Sequence, residues 1–163
     1  MIRVESEMNF IVDEYTYIME DDGFYNSMSS KYATKDVDFI IKRGSKLLFV
    51  EAKSSSPKKL DKYIESLYIK FLDSLIIFTG VLLDRKKTKS TAITKEMKRI
   101  THLKGDIQLI LIIKNAQKRH LSPIRDELNK KLRKLKIMFS LENDILVLNE
   151  AQAVSKGFLE ELF

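Results

Sequence analysis

Apolar residues recur along this chain at two spacings, and the switches between them mark out its elements. Phe10, Ile11, Tyr17 and Ile18 fall on one side of a helical wheel, so residues 5 to 21 read as a helix ended by Gly23. Residues 24 to 28 read as a first short strand. Two apolar runs follow, 36 to 42 and 46 to 52, and Gly44 between them predicts a β-hairpin. Residues 47 to 50 are continuously apolar, the mark of a strand covered on both faces. Ser56 and Pro57 suit the N-cap and first turn of a long helix. Leu60, Ile64, Leu67, Phe71, Leu75, Phe78 and Leu82 keep helical spacing along it, and its second half is apolar nearly all round, which sets it deep against a sheet. Residues 107 to 113 form an unbroken apolar strand. Ser122 and Pro123 open another helix with Ile124, Leu128, Leu132 and Leu135 inward. A strand at 144 to 148 and a helix from Glu150 close the chain. The order αβββαβαβ predicts an α/β fold, a mixed central sheet flanked by helices.

Three charges interrupt the hairpin where the pattern calls for burial: Asp38, Glu51 and Lys53. A buried charge costs several kcal/mol unless a partner or a metal takes it up. Side chains alternate faces along a strand, so Glu51 and Lys53 point the same way. An even loop pairs Asp38 with Phe49, which makes Asp38 and Glu51 diagonal neighbours roughly 7–8 Å apart. A divalent ion about 2.1 Å from each carboxylate can bridge that gap. An odd loop without a bulge puts Asp38 on the wrong face. Arg43-Gly44 is a poor two-residue turn, so the expected loop is residues 42 to 45 with Gly44 at positive φ. The bland alternative is a surface hairpin in which Glu51 and Lys53 merely close a sheet edge.

Val37-Asp38-Phe39-Ile40-Ile41, then Leu48-Phe49-Val50-Glu51-Ala52-Lys53-Ser54, resembles the PD-(D/E)xK nuclease superfamily. Within it the match is nearest to the archaeal Holliday-junction resolvases and the short endonucleases related to them. The resemblance covers roughly residues 8 to 56, and Val37 stands where many members have Pro. The Gln-x-x-x-Tyr motif of the RecB-like branch is not visible after Lys53. The resemblance implies a restriction-endonuclease-like αβββαβ core with an extra C-terminal helix and strand. It also implies a Mg²⁺- or Mn²⁺-dependent endonuclease that hydrolyses phosphodiester bonds in DNA. Asp38 and Glu51 take the places of its metal carboxylates, with the Ala52 carbonyl as a further ligand and Lys53 as the catalytic lysine. Many relatives carry one more acid on the first helix. Glu14 is the first choice here and Asp13 the second, while Asp36 shares a strand face with Asp38. Ser54 and Ser55 fall where a phosphate contact is expected.

Composition supports this reading without carrying it. The chain's 163 residues suit one domain spanning 1 to 163. No Cys and no signal-like start fit a reducing cytoplasm, and the longest charge-free apolar run, 74 to 83, is too short to span a bilayer. Net charge is +6, yet residues 1 to 30 hold seven acids against the single base Arg3. The remainder is strongly basic, a surface suited to phosphates. Arg85, Lys86, Lys87 and Lys89 follow the long helix; Arg125, Lys130, Lys131, Arg133 and Lys134 lie off the later helix's apolar stripe. Each group either holds phosphates or is a solvated face, and both readings stay open. His102 and His120 lack metal-ligand spacing. Pairing of two chains to cut both strands is also left open. From another class of function comes the alternative of a catalytically silent protein of this fold that binds a protein partner. An RNA substrate is not distinguished from DNA.

Overall fold

The computed structural model describes residues 1–23, 25–26, 31, 33–85 and 92–161. Seven strands form two sheets among them: β1 Ile2–Glu5, β2 Met8–Ile11, β3 Thr16–Tyr17, β4 Phe39–Arg43, β5 Lys46–Lys53, β6 Ile107–Ile113 and β7 Leu146–Asn149. The helices that position the site are α1 Leu60–Leu82, α2 Lys118–Met138 and α3 Glu150–Ser155. The main sheet runs β3-β4-β5-β6-β7, and β1 pairs with β2 apart from it. Strands β3, β4 and β5 are antiparallel neighbours, whereas β5, β6 and β7 are parallel. The architecture is α/β around a mixed five-stranded sheet with β5 at its centre, as the continuous apolar run predicts.

Alternation along β4, β5 and β6 divides the interior into two layers. Ile40, Leu47, Phe49, Leu109, Leu111 and Ile113 face the apolar stripes of α1 and α2. Phe39, Ile41, Leu48, Val50, Ile110 and Ile112 face Met8 and Phe10 of the small hairpin, with Ala153 and Phe158 beside them. Phe10 and Phe39 meet ring to ring at 4.5 Å. Among the described residues no helix is long and apolar enough to cross a membrane.

The first expected helix is absent. Residues 5 to 21 form instead the end of β1, strands β2 and β3, and a 3₁₀ turn at Met19–Asp21. Met8, Phe10 and Val12 are buried while Asn9 and Ile11 turn outward, a period of two that overrides the helical one. The turn between β1 and β2 is Ser6-Glu7, both at positive φ (49° and 62°), a conformation that usually signals itself through Gly or Asn. Of the strand expected at 24 to 28, residues 24, 27 and 28 lie outside the described residues; Asn26 N–H donates to the Asp22 carbonyl, a helical turn.

Both long helices start elsewhere than expected. α1 begins at Leu60, three residues past Pro57, and Ser56 Oγ is buried without a hydrogen-bond partner among the described residues instead of capping it. α2 begins at Lys118, so Pro123 falls in its second turn, where it removes one backbone bond. Leu121 extends the stripe that Ile124, Leu128, Leu132 and Leu135 continue, and this burial secures the added turn. α3 starts at Glu150 as expected, under a capping box between Asn149 and Gln152.

Candidate metal and phosphate site

The β4–β5 hairpin closes through Gly44-Ser45, not through the four-residue loop. Arg43 pairs with Lys46, and Gly44 has φ 55°. A positive φ at the first central residue is what a type II′ turn requires, so Gly44 takes the positive φ expected of it, but as the first residue of a two-residue turn and not the third of four. The register shifts by two residues and the parity is kept. Phe39 pairs with Val50, so one step further Asp38 stands opposite Glu51 rather than diagonal to it. Directly opposed side chains come closer, with Cβ atoms about 5 Å apart.

Asp38, Glu51 and Lys53 share the face of Ile40 and Phe49, the one covered by α1. Glu51 is completely buried (0% exposed). Lys53 Nζ lies 2.6 Å from its Oε1, and a second ammonium, Lys70 of α1, lies 2.8 Å from the same oxygen and 3.0 Å from Oε2. Glu51 Oε1 receives no well-directed hydrogen bond from either. Asp38 Oδ2 accepts the Ala52 N–H at 2.6 Å. Burial, then the charge of Glu51, pushes the Asp38 carboxyl up to about 8, against the opposing pull of Lys70 and the Ala52 N–H. Burial alone would lower the Lys70 ammonium; Glu51 and Asp38 reverse that and raise it.

The chain segment leading into β4 is fastened to α1. Asp73 Oδ2 accepts the Lys35 N–H at 3.0 Å and Ser74 Oγ accepts the Val37 N–H at 2.8 Å. Asp36 accepts the Tyr25 hydroxyl at 2.6 Å and adds to the negative surroundings of Lys70. Its carboxyl is raised, chiefly by burial. Tyr63, two turns before Lys70 on α1, has a buried hydroxyl with no hydrogen-bond partner among the described residues. Burial and then Glu51 raise its pKa.

The other expected site residues divide into those nearby and those elsewhere. Ser54 follows Lys53 and its carbonyl accepts Asn115 Nδ2 at 3.0 Å, while Ser55 is exposed beside it. The Ala52 carbonyl already accepts the Ser6 hydroxyl at 3.1 Å. Glu14 is not at this site. With the first helix replaced by strands it sits exposed in the turn before β3, where its carbonyl accepts Thr94 Oγ1. The β3–β4 register sets it level with Arg43, about 16 Å along the strand from Asp38. Asp13 is spent on the same turn, accepting the Tyr15 N–H at 2.9 Å. The acid from the N-terminal segment that is felt at Asp38 is Glu5, at the end of β1, whose charge is the smallest of the effects that raise it.

Lys130, Lys131 and Lys134 lie well down α2, the first about 18 Å beyond its start. Lys130 pairs with Glu127 at 2.6 Å, Lys131 with Glu65, and Arg125 with Asp126 at 3.2 Å. Arg133 and Lys134 are exposed. Arg85 is exposed at the end of α1, and Lys86, Lys87 and Lys89 lie outside the described residues. Sequence reasoning missed a basic run nearer the site. Lys53 is level with Ile113 at the end of β6, and Lys114, Lys118, Arg119 and His120 follow directly, the last three exposed. It also missed Lys70, which no motif spacing singles out.

The donor set suits a hard cation held by few protein ligands. Asp38 and Glu51 offer carboxylate oxygens on one face, and Mg²⁺ commonly binds through one or two carboxylates while keeping waters. Glu51 Oε1, buried with two ammonium nitrogens against it, is an oxygen that already draws cations. Among the described residues no group of three or more His, Cys, Asp or Glu closes a full cage. No protein-family model, curated protein or solved structure matches this chain.

Proposed function

We propose that this protein is a metal-dependent nuclease of the PD-(D/E)xK kind, hydrolysing phosphodiester bonds in DNA on a restriction-endonuclease-like core. One observation carries the reading: Asp38, Glu51 and Lys53 converge on one face at the end of two neighbouring strands. The order β3-β4-β5-α1-β6 agrees with that core from its strands onward, although the leading helix is not where the resemblance would put it.

Each residue then has a task. Asp38 and Glu51 hold the cation, Mg²⁺ or Mn²⁺, from opposite strands. When bound, that ion polarises a phosphate oxygen and acidifies water. Lys53, a third exposed on its side chain, is the ammonium that meets the substrate. Its Nζ donates to a phosphoryl oxygen or to the attacking water and stabilises the charge that develops. Ser54 and Ser55 follow Lys53 on the chain, and the exposed Lys118 and Arg119 supply a basic rim for the phosphates, while Lys114 is held by the Glu7 carbonyl.

The second reading is a silent nuclease-fold protein that binds a protein partner. What favours it is that two lysines already neutralise Glu51. Incubation with plasmid, branched DNA and RNA in Mg²⁺ or Mn²⁺ separates the two. The nuclease reading expects cleavage, with Lys53→Ala and Asp38→Asn each at least about a hundredfold slower. Cleavage that persists in both variants, or none by the wild-type protein, contradicts it.

A further inference from the structure

We propose that Lys70 is the resident cation of this site: it occupies, in the metal-free protein, the ground a divalent ion takes, so that metal binding exchanges Lys70 for the ion at Glu51. The proposal rests on the metal reading of Asp38 and Glu51 given above.

Lys70 reaches the site from α1, not from the hairpin that carries the motif. Its Nζ sits astride the carboxylate, 2.8 Å from Oε1 and 3.0 Å from Oε2 of Glu51, as a cation gripped by both oxygens would. A structural lysine–glutamate pair uses aligned N–H donors to offset desolvation. Here Lys70 donates its hydrogen bond to Oε2 at 3.0 Å, while Oε1 has two ammonium nitrogens within 2.8 Å and a directed hydrogen bond from neither, so at Oε1 charge is supplied without direction, as an ion supplies it.

Lys70 also has somewhere to go. Its stem is flexible, and Asp36 lies within electrostatic reach, held by the Tyr25 hydroxyl. An ammonium released from Glu51 therefore keeps a carboxylate partner without leaving the protein. The exchange gives a fully buried glutamate a partner before any ion arrives: α1 brings the ammonium, and the ion later replaces it.

Calorimetric titration of Mn²⁺ into wild-type protein, Lys70→Gln and Lys70→Arg tests this, with thermal melts in EDTA and in Mn²⁺. Gln keeps a donor for Glu51 without the charge; Arg keeps the charge. The exchange predicts that Lys70→Gln binds Mn²⁺ at least tenfold more tightly than wild type and gains a larger rise in Tm from it. Lys70→Arg should bind no more tightly than wild type. Equal or weaker binding by Lys70→Gln beside a binding wild type overturns the exchange and leaves the metal site standing. Absence of Mn²⁺ binding in all three removes the metal reading and the exchange with it. If Lys70→Gln is unfolded in EDTA, folding upon Mn²⁺ addition supports the exchange, and failure to fold with Mn²⁺ overturns it.

Discussion

Glu51 has no exposed surface, so its charge depends wholly on what the fold brings to it. Half of that was legible in the chain. Glu51 and Lys53 are two residues apart on a strand, and period two alone puts them on one face. Asp38 required the loop parity, which the sequence constrained, although the register came out two residues away. Lys70 was not legible: it is one of 29 lysines and arginines, joined to Glu51 only when α1 crosses the sheet. The crowding has a measurable consequence at Asp38. Its carboxyl titrates near 8 in the folded protein and near 4 in the unfolded chain. Between those values the folded state keeps a proton that the unfolded chain has given up, so stability falls as pH rises from about 4 to about 8. Asp38→Asn cannot lose that proton. In EDTA its Tm relative to wild type should climb by several degrees from pH 5 to pH 8, as circular dichroism melts would read. A constant difference across that range would mean that Asp38 is not held protonated by its surroundings.

At the scale of elements, success and failure had different physical causes. The β4–β5 hairpin, β6, and the buried stripes of α1 and α2 follow from long, strongly patterned runs. The N-terminal segment misled because four apolar residues happen to fit a helical wheel while the true alternation, Met8-Phe10-Val12, is short. Its turn gave no warning either, since Ser6 and Glu7 hold positive φ without a glycine. Placing Glu14 on a helix followed from that error, and the N-terminal acid whose charge is felt at Asp38 is Glu5, at the end of β1. Positive φ costs a residue with a Cβ about 1 kcal/mol or more relative to Gly. Among the described residues the Glu7 side chain pairs with Lys114 alone, at a long 3.6 Å, which is worth little. Glu7→Gly should therefore stabilise the protein by about 1 kcal/mol in urea unfolding. Destabilisation would show that the Glu7 side chain does more at the hairpin tip than the contact with Lys114 accounts for.

Over the whole molecule, charges of opposite sign fall in different parts of the chain. The acids of the first thirty residues are partly neutralised locally, Arg3 pairing with Glu20 at 2.5 Å and Asp21 at 3.3 Å. Beyond β6 the basic run from Lys114 to His120 begins level with Lys53. The lysines of α2 singled out by sequence sit further away and spend much of their charge on Glu65 and Glu127. Helical periodicity revealed that those lysines were exposed, but only the parallel pairing of β5 with β6 shows which basic residues border the hairpin's carboxylates.

The most direct measurement is anomalous scattering from crystals grown with Mn²⁺. The account predicts a single strong Mn²⁺ peak coordinated by both Asp38 and Glu51, with Lys70 Nζ drawn away from Glu51. A protein that stays metal-free there, with Lys53 and Lys70 still closed on Glu51 at millimolar Mn²⁺, would contradict it.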